Sequence, residues 1–453
     1  MNNKALKCYI KTYGCQMNKA DSERMFGLLH KINYIPTEKA EEADLLIANT
    51  CTIREGAADR VFSNLGRWKA LKKKNPEIII ALGGCLGQER GSEIQKRMPF
   101  IDLVFGTHNM HRLAEFVENL KQKRQSFCEL IEELPEDIPE TPSFRQNFPC
   151  AWVNIIFGCN FNCTYCIVPS VRGREKSRNP KKIKEEIIEL AEQGFKEITL
   201  LGQNVTAYGQ DLNEKYALVN LLRDIHEIKG IERIRFLTGH PRFINKELIN
   251  TIAELPKLCK FFHIPMQSGD DYILRKMARA YNSKYYLEMV EQIRNLIPNA
   301  SITSDFIVGF PGETQEHFEN TCKMIKEIEF ASCITAMYSP RKNTQAAKWE
   351  ENLELKIPEE EKKQRINIIN QVVETTAENF AKKIYENTIQ KILIEKINEE
   401  EPPFRGLGVL AFGRTDGGKI CEIQNINIPI QLGDIIDVKI KDINAWKLTG
   451  NIV

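Results

Sequence analysis

The chain has 453 residues, 42% of them apolar, 27% charged and 8% aromatic. Its length exceeds what one hydrophobic core usually organises, and its composition excludes wholesale disorder and a small disulfide-stapled scaffold. With 63 basic and 61 acidic side chains the net charge is +2, so any polyanion has to be held by local patches and not by a global field.

From Lys7 to about Leu120 short aliphatic runs alternate with amphipathic segments. The runs are Cys8–Ile10, Asp44–Ile47, Glu77–Ile80 and Ile101–Val104. Between them lie stretches such as Ala57, Val61, Leu65, Trp68 and Leu71, whose steps of three and four share one helical face. This pattern predicts a parallel sheet with helices on its faces, over residues 1–128. Glu129 to Pro142 carries six carboxylates, three prolines and no basic residue, which predicts a solvated linker over 129–144.

A second alternating series fills 145–376, with six strand candidates at Trp152–Phe157, Glu197–Leu201, Arg233–Leu237, Lys260–Ile264, Ser301–Val308 and Ser332–Met337. Six βα units make an open doubly wound sheet or a partial barrel, and periodicity does not choose between them. Either way the active site belongs at the strands' C-terminal ends. After a charged helical segment, Pro358 to Tyr385, glycine-broken short strands predict a small all-β barrel over 377–453, through Gly406-Leu407-Gly408-Val409, Gly413-Arg414 and Asp416-Gly417-Gly418. No run of about 18 apolar residues reads as a membrane span, and Met1 to Thr12 lacks the apolar core of a signal peptide. A cytoplasmic protein without a membrane partner is expected, and there thirteen cysteines point to metal ligation or redox chemistry before disulfides.

Cys159, Cys163 and Cys166 have the spacing C-x3-C-x2-C directly after the first strand of the second series. Three thiolates on one loop converge on one centre, and on a [4Fe–4S] cluster they leave one iron open. C-x2-C alone also marks zinc sites and dithiol pairs, but no cysteine or histidine between Cys166 and His226 supplies a fourth zinc ligand. Cys15, Cys51 and Cys85 each follow a strand candidate and precede a helix, so parallel strands carry all three to a common rim, a second three-thiolate site. The other reading, small buried hydrophobes, is applied to Cys8, Cys128, Cys150, Cys259, Cys322, Cys333 and Cys421.

The loop motif, with an aromatic before its last cysteine, resembles the radical S-adenosylmethionine superfamily. Together with Tyr13-Gly14-Cys15-Gln16-Met17-Asn18, Asp21-Ser22-Glu23, Asn49 to Glu55, Gly84-Cys85, Val171 to Glu175, His263 to Gly269 and Asp305 to Thr314, it resembles the methylthiotransferase family over nearly the whole chain. The resemblance implies an α/β fold with a central partial (βα)6 barrel and a C-terminal TRAM-like RNA-binding barrel. It implies two [4Fe–4S] clusters, an auxiliary one on Cys15, Cys51 and Cys85 and a second on Cys159, Cys163 and Cys166, whose open iron chelates S-adenosylmethionine. The Gln16-Met17-Asn18 and Ile53-Arg54-Glu55 variants are most similar to members that methylthiolate C2 of N6-dimethylallyladenosine beside the tRNA anticodon. Such members take sulfur from the auxiliary cluster, and use S-adenosylmethionine as both radical source and methyl donor. The alternatives are threonylcarbamoyl-adenosine tRNA, a ribosomal protein, or a non-catalytic iron–sulfur RNA-binding sensor. An electron donor and an iron–sulfur carrier are the further partners implied.

Around the cofactor, Tyr165 is a candidate to pack on adenine or simply to pack its loop. Gly202, Gln203 and Asn204 end the second strand of the series, and His240, Gln267, Ser268 and Asp305 end later ones. Arg172 to Lys184 holds seven basic residues and one acid, with Arg172 and Arg174 as tRNA contacts and Arg178 toward phosphate or the cofactor carboxylate. From Ala381 onward ten basic and ten acidic side chains cancel, so RNA binding there is expected to use shape and a few arginines such as Arg414.

Overall fold

The computed structural model describes residues 5–52, 57–135, 140–141, 143–398, 410–424, 426 and 428–453. The Ile53-Arg54-Glu55 motif, Glu399 to Pro403 and the Gly406 to Val409 turn lie outside the described residues. The chain divides into two compact units. One is Met1–Gln146 with Phe157–Phe161 and Ile167–Lys176; the other is Asn147–Ile156, Asn162–Cys166 and Ser177–Val453.

The first unit is a parallel sheet of strands β1 (Leu6–Thr12), β2 (Tyr34–Pro36), β3 (Leu45–Thr50), β4 (Ile79–Gly84), β5 (Leu103–Phe105) and β6 (Phe127–Glu129), in the order β2-β1-β3-β4-β5-β6. β3 and β4 are buried along their whole length, as central strands covered on both faces are. Their residues alternate between two cores. Leu45 and Ile47 pack with Met25, Phe26 and Leu29 of α1 (Gln16–His30), whereas Leu46 and Ala48 pack with Val61, Leu65 and Trp68 of α2 (Ala57–Lys74). α3 (Cys85–Arg97) joins the second core through Leu86 and Ile94, and α4 (Leu113–Lys123) the first through Phe116 and Val117. Truncating Trp68 to alanine is expected to cost about 3–5 kcal/mol.

Some described residues of 129–144 are tied to the first unit. Glu129 ends β6, the Ile131 carbonyl accepts from Gln88 and His108, and Thr141 accepts from Arg24. The Ile131 carbonyl and the Thr141 hydroxyl find partners on α3, α1 and the loop that holds His108, which the composition did not reveal.

The second unit holds six parallel strands, β7 (Cys150–Asn154), β10 (Glu197–Leu201), β11 (Arg233–Phe236), β12 (Phe261–His263), β13 (Ser301–Val308) and β14 (Ser332–Met337); two-residue strands β8 (Ile156–Phe157) and β9 (Lys176–Ser177) precede β10. Sheets β11-β10-β7 and β12-β13-β14 are joined through a parallel bridge from Ile234 to Leu258, giving a six-stranded open half-barrel. Short helix α5 (Val168–Arg172) belongs to the first unit. Helices α6 (Pro180–Glu192), α7 (Ala217–His226), α8 (Lys246–Glu254), α9 (Asp271–Lys276), α10 (Ser283–Leu296), α11 (Gln315–Ile328) and α12 (Gln345–Glu350) follow. The core fills with Val153, Ile198, Leu200, Ile234, Ile302 and Phe306 from the strands and Ile187, Leu222, Ile249 and Ile293 from the helices.

Helix α13 (Glu359–Tyr385) leads into a closed barrel of β15 (Ile389–Asn398), β16 (Leu410–Arg414), β17 (Ile420–Gln424), β18 (Ile435–Ile443) and β19 (Lys447–Ile452). The turn after β16 seats against the N-terminal ends of the half-barrel strands. Arg233 donates to the carbonyls of Arg414 and Lys391 at 2.7 Å each, and the Lys260 amide donates to Asp416 Oδ2 at 3.0 Å. A Cβ at Gly417 would lie 2.4 Å from Ser301 Oγ, so the approach admits only glycine there.

Candidate cluster and cofactor sites

In the first unit β1, β3 and β4 are sheet neighbours, and Cys15, Cys51 and Cys85 stand just past their C-terminal ends. Cys15 caps α1 and Cys85 opens α3. The loops are locked by amide networks. Asn18 accepts from the Cys15 thiol at 3.3 Å and donates to the Thr50 carbonyl at 3.0 Å. Asn49 donates to the Asn18 carbonyl at 2.7 Å and to Ser22 Oγ at 2.8 Å. Gly14 has φ of +130°, and a Cβ on it would sit 2.4 Å from Cys51 Cβ.

The three thiols act on one another. A hydrogen bond with Cys51 holds the Cys15 thiol down to about 6 against the opposing effect of burial, with Arg172 adding to the lowering. Burial pushes the Cys85 thiol up, with Arg172 opposing and Cys15 adding to the rise. Among the described residues no three His, Cys, Asp or Glu side chains are arranged to hold a single metal ion. A four-iron cluster instead takes each thiolate on a different iron, so its ligands stand farther apart than donors on one ion. Three thiols on adjacent strand ends, beside a buried cation, are a donor set that fits such an anionic cluster and not a lone zinc.

Of the loop cysteines, Cys159 lies in the first unit and Cys163 and Cys166 in the second. Cys159 follows Gly158, whose φ of +72° brings it against the Arg174 carbonyl, and its own amide donates to the Gly173 carbonyl at 3.1 Å. In the second unit the Cys166 amide donates to the Cys163 carbonyl at 3.0 Å, closing a tight turn. Thr164 fastens that turn to the end of α9 through its hydroxyl, 2.8 Å from the Lys276 carbonyl. Arg279 donates to Cys163 Sγ at 3.3 Å while its other nitrogens reach Tyr281 Oη and the Pro265 carbonyl. A guanidinium on a thiolate ligand is chemistry suited to an anionic cluster, so this turn also fits one.

The remaining candidates divide. Asn204 is buried, its Oδ1 accepting from Thr206 at 3.0 Å and its Nδ2 lacking an acceptor. Asp305 stands 3.5 Å from His263 Nε2, and His263 Nδ1 lies 3.0 Å from Thr303 Oγ1, a polar row on β12 and β13. Gln203 lies two residues past the end of β10, half-buried, and Gln267 takes a φ of +76° that lets its backbone pair with β13. His240 accepts from the Arg242 amide, and burial, with Arg279 and Arg242 adding, pushes it down to about 2, so it is neutral.

Five further candidates are engaged within the fold. Gly202 is required by packing, since a Cβ there would lie 2.3 Å from Ile156 Cγ2. The Ser268 hydroxyl faces inward, 3.2 Å from Thr321 Oγ1 and accepting from the Asp270 amide. Arg178 is held by Glu186 at 2.8 Å and the Asn154 carbonyl at 2.6 Å. Arg172 is buried on Asp21, not presented to RNA, whereas Arg174 is exposed. Arg414 is paired with Glu395 at 2.6 Å and lies 3.8 Å from buried Glu197. Tyr165 packs with Ile273, Met277, Phe310 and Tyr338. Sequence reasoning passed over Arg279, and it quoted His263 and Asp21 within motifs without giving either a role. Asp21 alone carried a local signal, three residues past Asn18 on the same helical face.

A radical SAM superfamily model matches residues 153–325, and one described as Uncharacterized protein family UPF0004 matches residues 7–106. The tRNA-2-methylthio-N(6)-dimethylallyladenosine synthases of Clostridium botulinum strains Loch Maree and Okra are each 44% identical over 98% of this chain and 96% of theirs. The chain belongs to that methylthiotransferase family of radical S-adenosylmethionine enzymes. Like the family, it uses [4Fe–4S] clusters and S-adenosylmethionine. Among solved structures, the radical S-adenosylmethionine methyltransferase TsrM of Kitasatospora setae shares the fold. Its TM-score is 0.55 at 12% identity, over 76% of this chain and 77% of that one.

Proposed function

We propose that this chain methylthiolates C2 of N6-dimethylallyladenosine beside the anticodon of tRNA, in the cytoplasm, consuming two molecules of S-adenosylmethionine. The observation that carries the reading is the pairing of a loop trio, Cys159, Cys163 and Cys166, with a rim trio, Cys15, Cys51 and Cys85, in a chain 44% identical to enzymes of that name. An aromatic C–H offers no acidic proton to a general base, so a radical route suits the carbon attacked. The bound groups supply an electron for cleaving S-adenosylmethionine at the loop trio and sulfur at the rim trio, with the methyl group coming from a second S-adenosylmethionine.

The chain's own residues do the holding. Arg279 fixes Cys163 and places positive charge beside it. Asn18 and Asn49 hold the Cys15 and Cys51 loops in register. Neutral His240 contributes no proton near the cofactor side of the half-barrel. Arg174, exposed just past α5, is the candidate contact for tRNA phosphate, and an electron donor and an iron–sulfur carrier complete the partners.

The test is anaerobically reconstituted protein with S-adenosylmethionine, a reductant and tRNA bearing dimethylallyladenosine, followed by mass spectrometry of the digested nucleosides. The reading requires one added methylthio group on that nucleoside. Cys51→Ala is expected to retain 5′-deoxyadenosine formation and lose the methylthio product, and Cys163→Ala to lose both. 5′-Deoxyadenosine alone from the wild-type chain, on this tRNA, would falsify the substrate.

A further inference from the structure

Among the described basic residues from Arg172 to Lys184, Arg172 alone is buried. It ends α5, directly after Val171, which together with Ile167 packs on Cys85. Its side chain is 7% exposed, and Nη1 meets Asp21 Oδ2 at 2.7 Å. Nη2 is enclosed and has no acceptor. Leaving a donor of a buried guanidinium unmet costs desolvation that one carboxylate at the other nitrogen does not return.

The surroundings say where that donor points. After Asp21, Cys85 and then Cys15 are the charged groups that act most on the guanidinium, and Val171, the residue before it, packs on Cys85. Asp21 sits on α1 three residues past Asn18, which grips Cys15, so one helix both aims the arginine and fixes a thiol. The start of α3, α1 and α5 thus converge on one cation that faces Cys85 and Cys15.

We propose that Arg172 is the built-in counter-cation of the Cys15, Cys51 and Cys85 centre, with Nη2 donating to the anionic sulfur that this centre holds. The proposal rests on the assignment of those three cysteines as cluster ligands. Three thiolates make the centre negative, and reduction adds a further negative charge. A buried cation and hydrogen bond to sulfur stabilise the reduced state more than the oxidised one, which raises the reduction potential. Arg172 is a positioning residue: it acts through the sulfurs and not on the tRNA.

The experiment uses full-length chain carrying Cys159→Ala, Cys163→Ala and Cys166→Ala, so that only the rim trio remains to hold iron. Iron and sulfide are counted after anaerobic reconstitution, and the midpoint potential is read by redox titration with electron paramagnetic resonance. Arg172→Gln is paired with Asp21→Asn, so that no uncompensated charge is buried, and circular dichroism checks the fold. The pair is expected to shift the reduced-to-oxidised ratio at fixed potential at least tenfold toward oxidised, about 59 mV for one electron. Arg172→Lys, which keeps the charge, reverses part of that shift, and Asp21→Asn alone, which removes a negative charge and leaves the cation, moves the ratio the opposite way, toward reduced. A shift below about twofold with iron retained overturns the role of Arg172 alone. An iron-free triple variant overturns the ligand set and the role of Arg172 with it.

Discussion

The six-stranded half-barrel is charged at both ends, and the two ends use charge differently. Glu197 and Arg233, the first residues of β10 and β11, and Arg235, two places further along β11, turn toward the C-terminal barrel and are consumed in seating it, with Arg235 Nε 3.2 Å from Glu197 Oε1 and both side chains buried. Toward the other end, polar groups sit on loops past the strands, as Asn204 and Arg279 do, or within a strand, as Asp305 does in β13. A charge at the start of a parallel strand closes the fold, whereas one past its end is available to a ligand. Arg414 illustrates the cost of not knowing which end a side chain meets: its place in a presumed RNA-binding barrel suggested phosphate, but the barrel presents it to Glu197 and Glu395.

The sharpest way to break this contrast is Glu197→Gln, which leaves Arg235 and Arg414 without a buried counter-charge. Urea unfolding is expected to show a loss of about 3–5 kcal/mol, while 5′-deoxyadenosine formation per folded, cluster-loaded molecule stays near wild type. At the other end Arg279→Lys keeps the charge and loses the forked geometry. It should lower 5′-deoxyadenosine formation about 10- to 100-fold, as loss of a ligand's outer partner commonly does. An unchanged rate would remove Arg279 from the site.

His240 gives a pH test of the same end. Its folded pKa lies below its ordinary 6.5, so the unfolded chain takes the proton first. Its stabilising contribution is complete above that value and falls as pH drops below it, by up to about 1.4 kcal/mol per unit. Urea midpoints between pH 7.5 and 5 should show the slope, and His240→Asn should flatten it. The smallest effect is in RNA binding: Arg174→Ala should reduce the salt slope of tRNA affinity by about one, and Arg414→Ala should leave it unchanged.

How far the sequence could be read follows the same division. The loop trio was visible because its three ligands are close in sequence, and the rim trio because parallel strands convert repeated strand-cysteine-helix order into proximity. The six strands of the half-barrel and helix α13 had enough periodic residues to register. Three-residue strands β2 and β6 did not, whereas β5 and β12, equally short, registered because each stands in a longer apolar run. Ser268 read as a cofactor contact and Arg172 as a tRNA contact because the partners that absorb them, Thr321 and Asp21, are distant in sequence and meet them only in the folded chain.

Helix α13 runs for 27 residues, about 40 Å at the usual rise per residue. Near its start Lys362 packs on Gly309 and Arg365 binds Glu313 at 2.6 Å, both beyond the end of β13. At its other end Tyr385 Oη stands by Gly417, alongside Ser301 at the beginning of β13. The helix therefore works as a strut from one rim of the half-barrel to the other. It fixes the span between the cofactor side and the small barrel as the beam of a caliper fixes its jaws, so whatever the barrel grips is offered to the chemistry at one set reach.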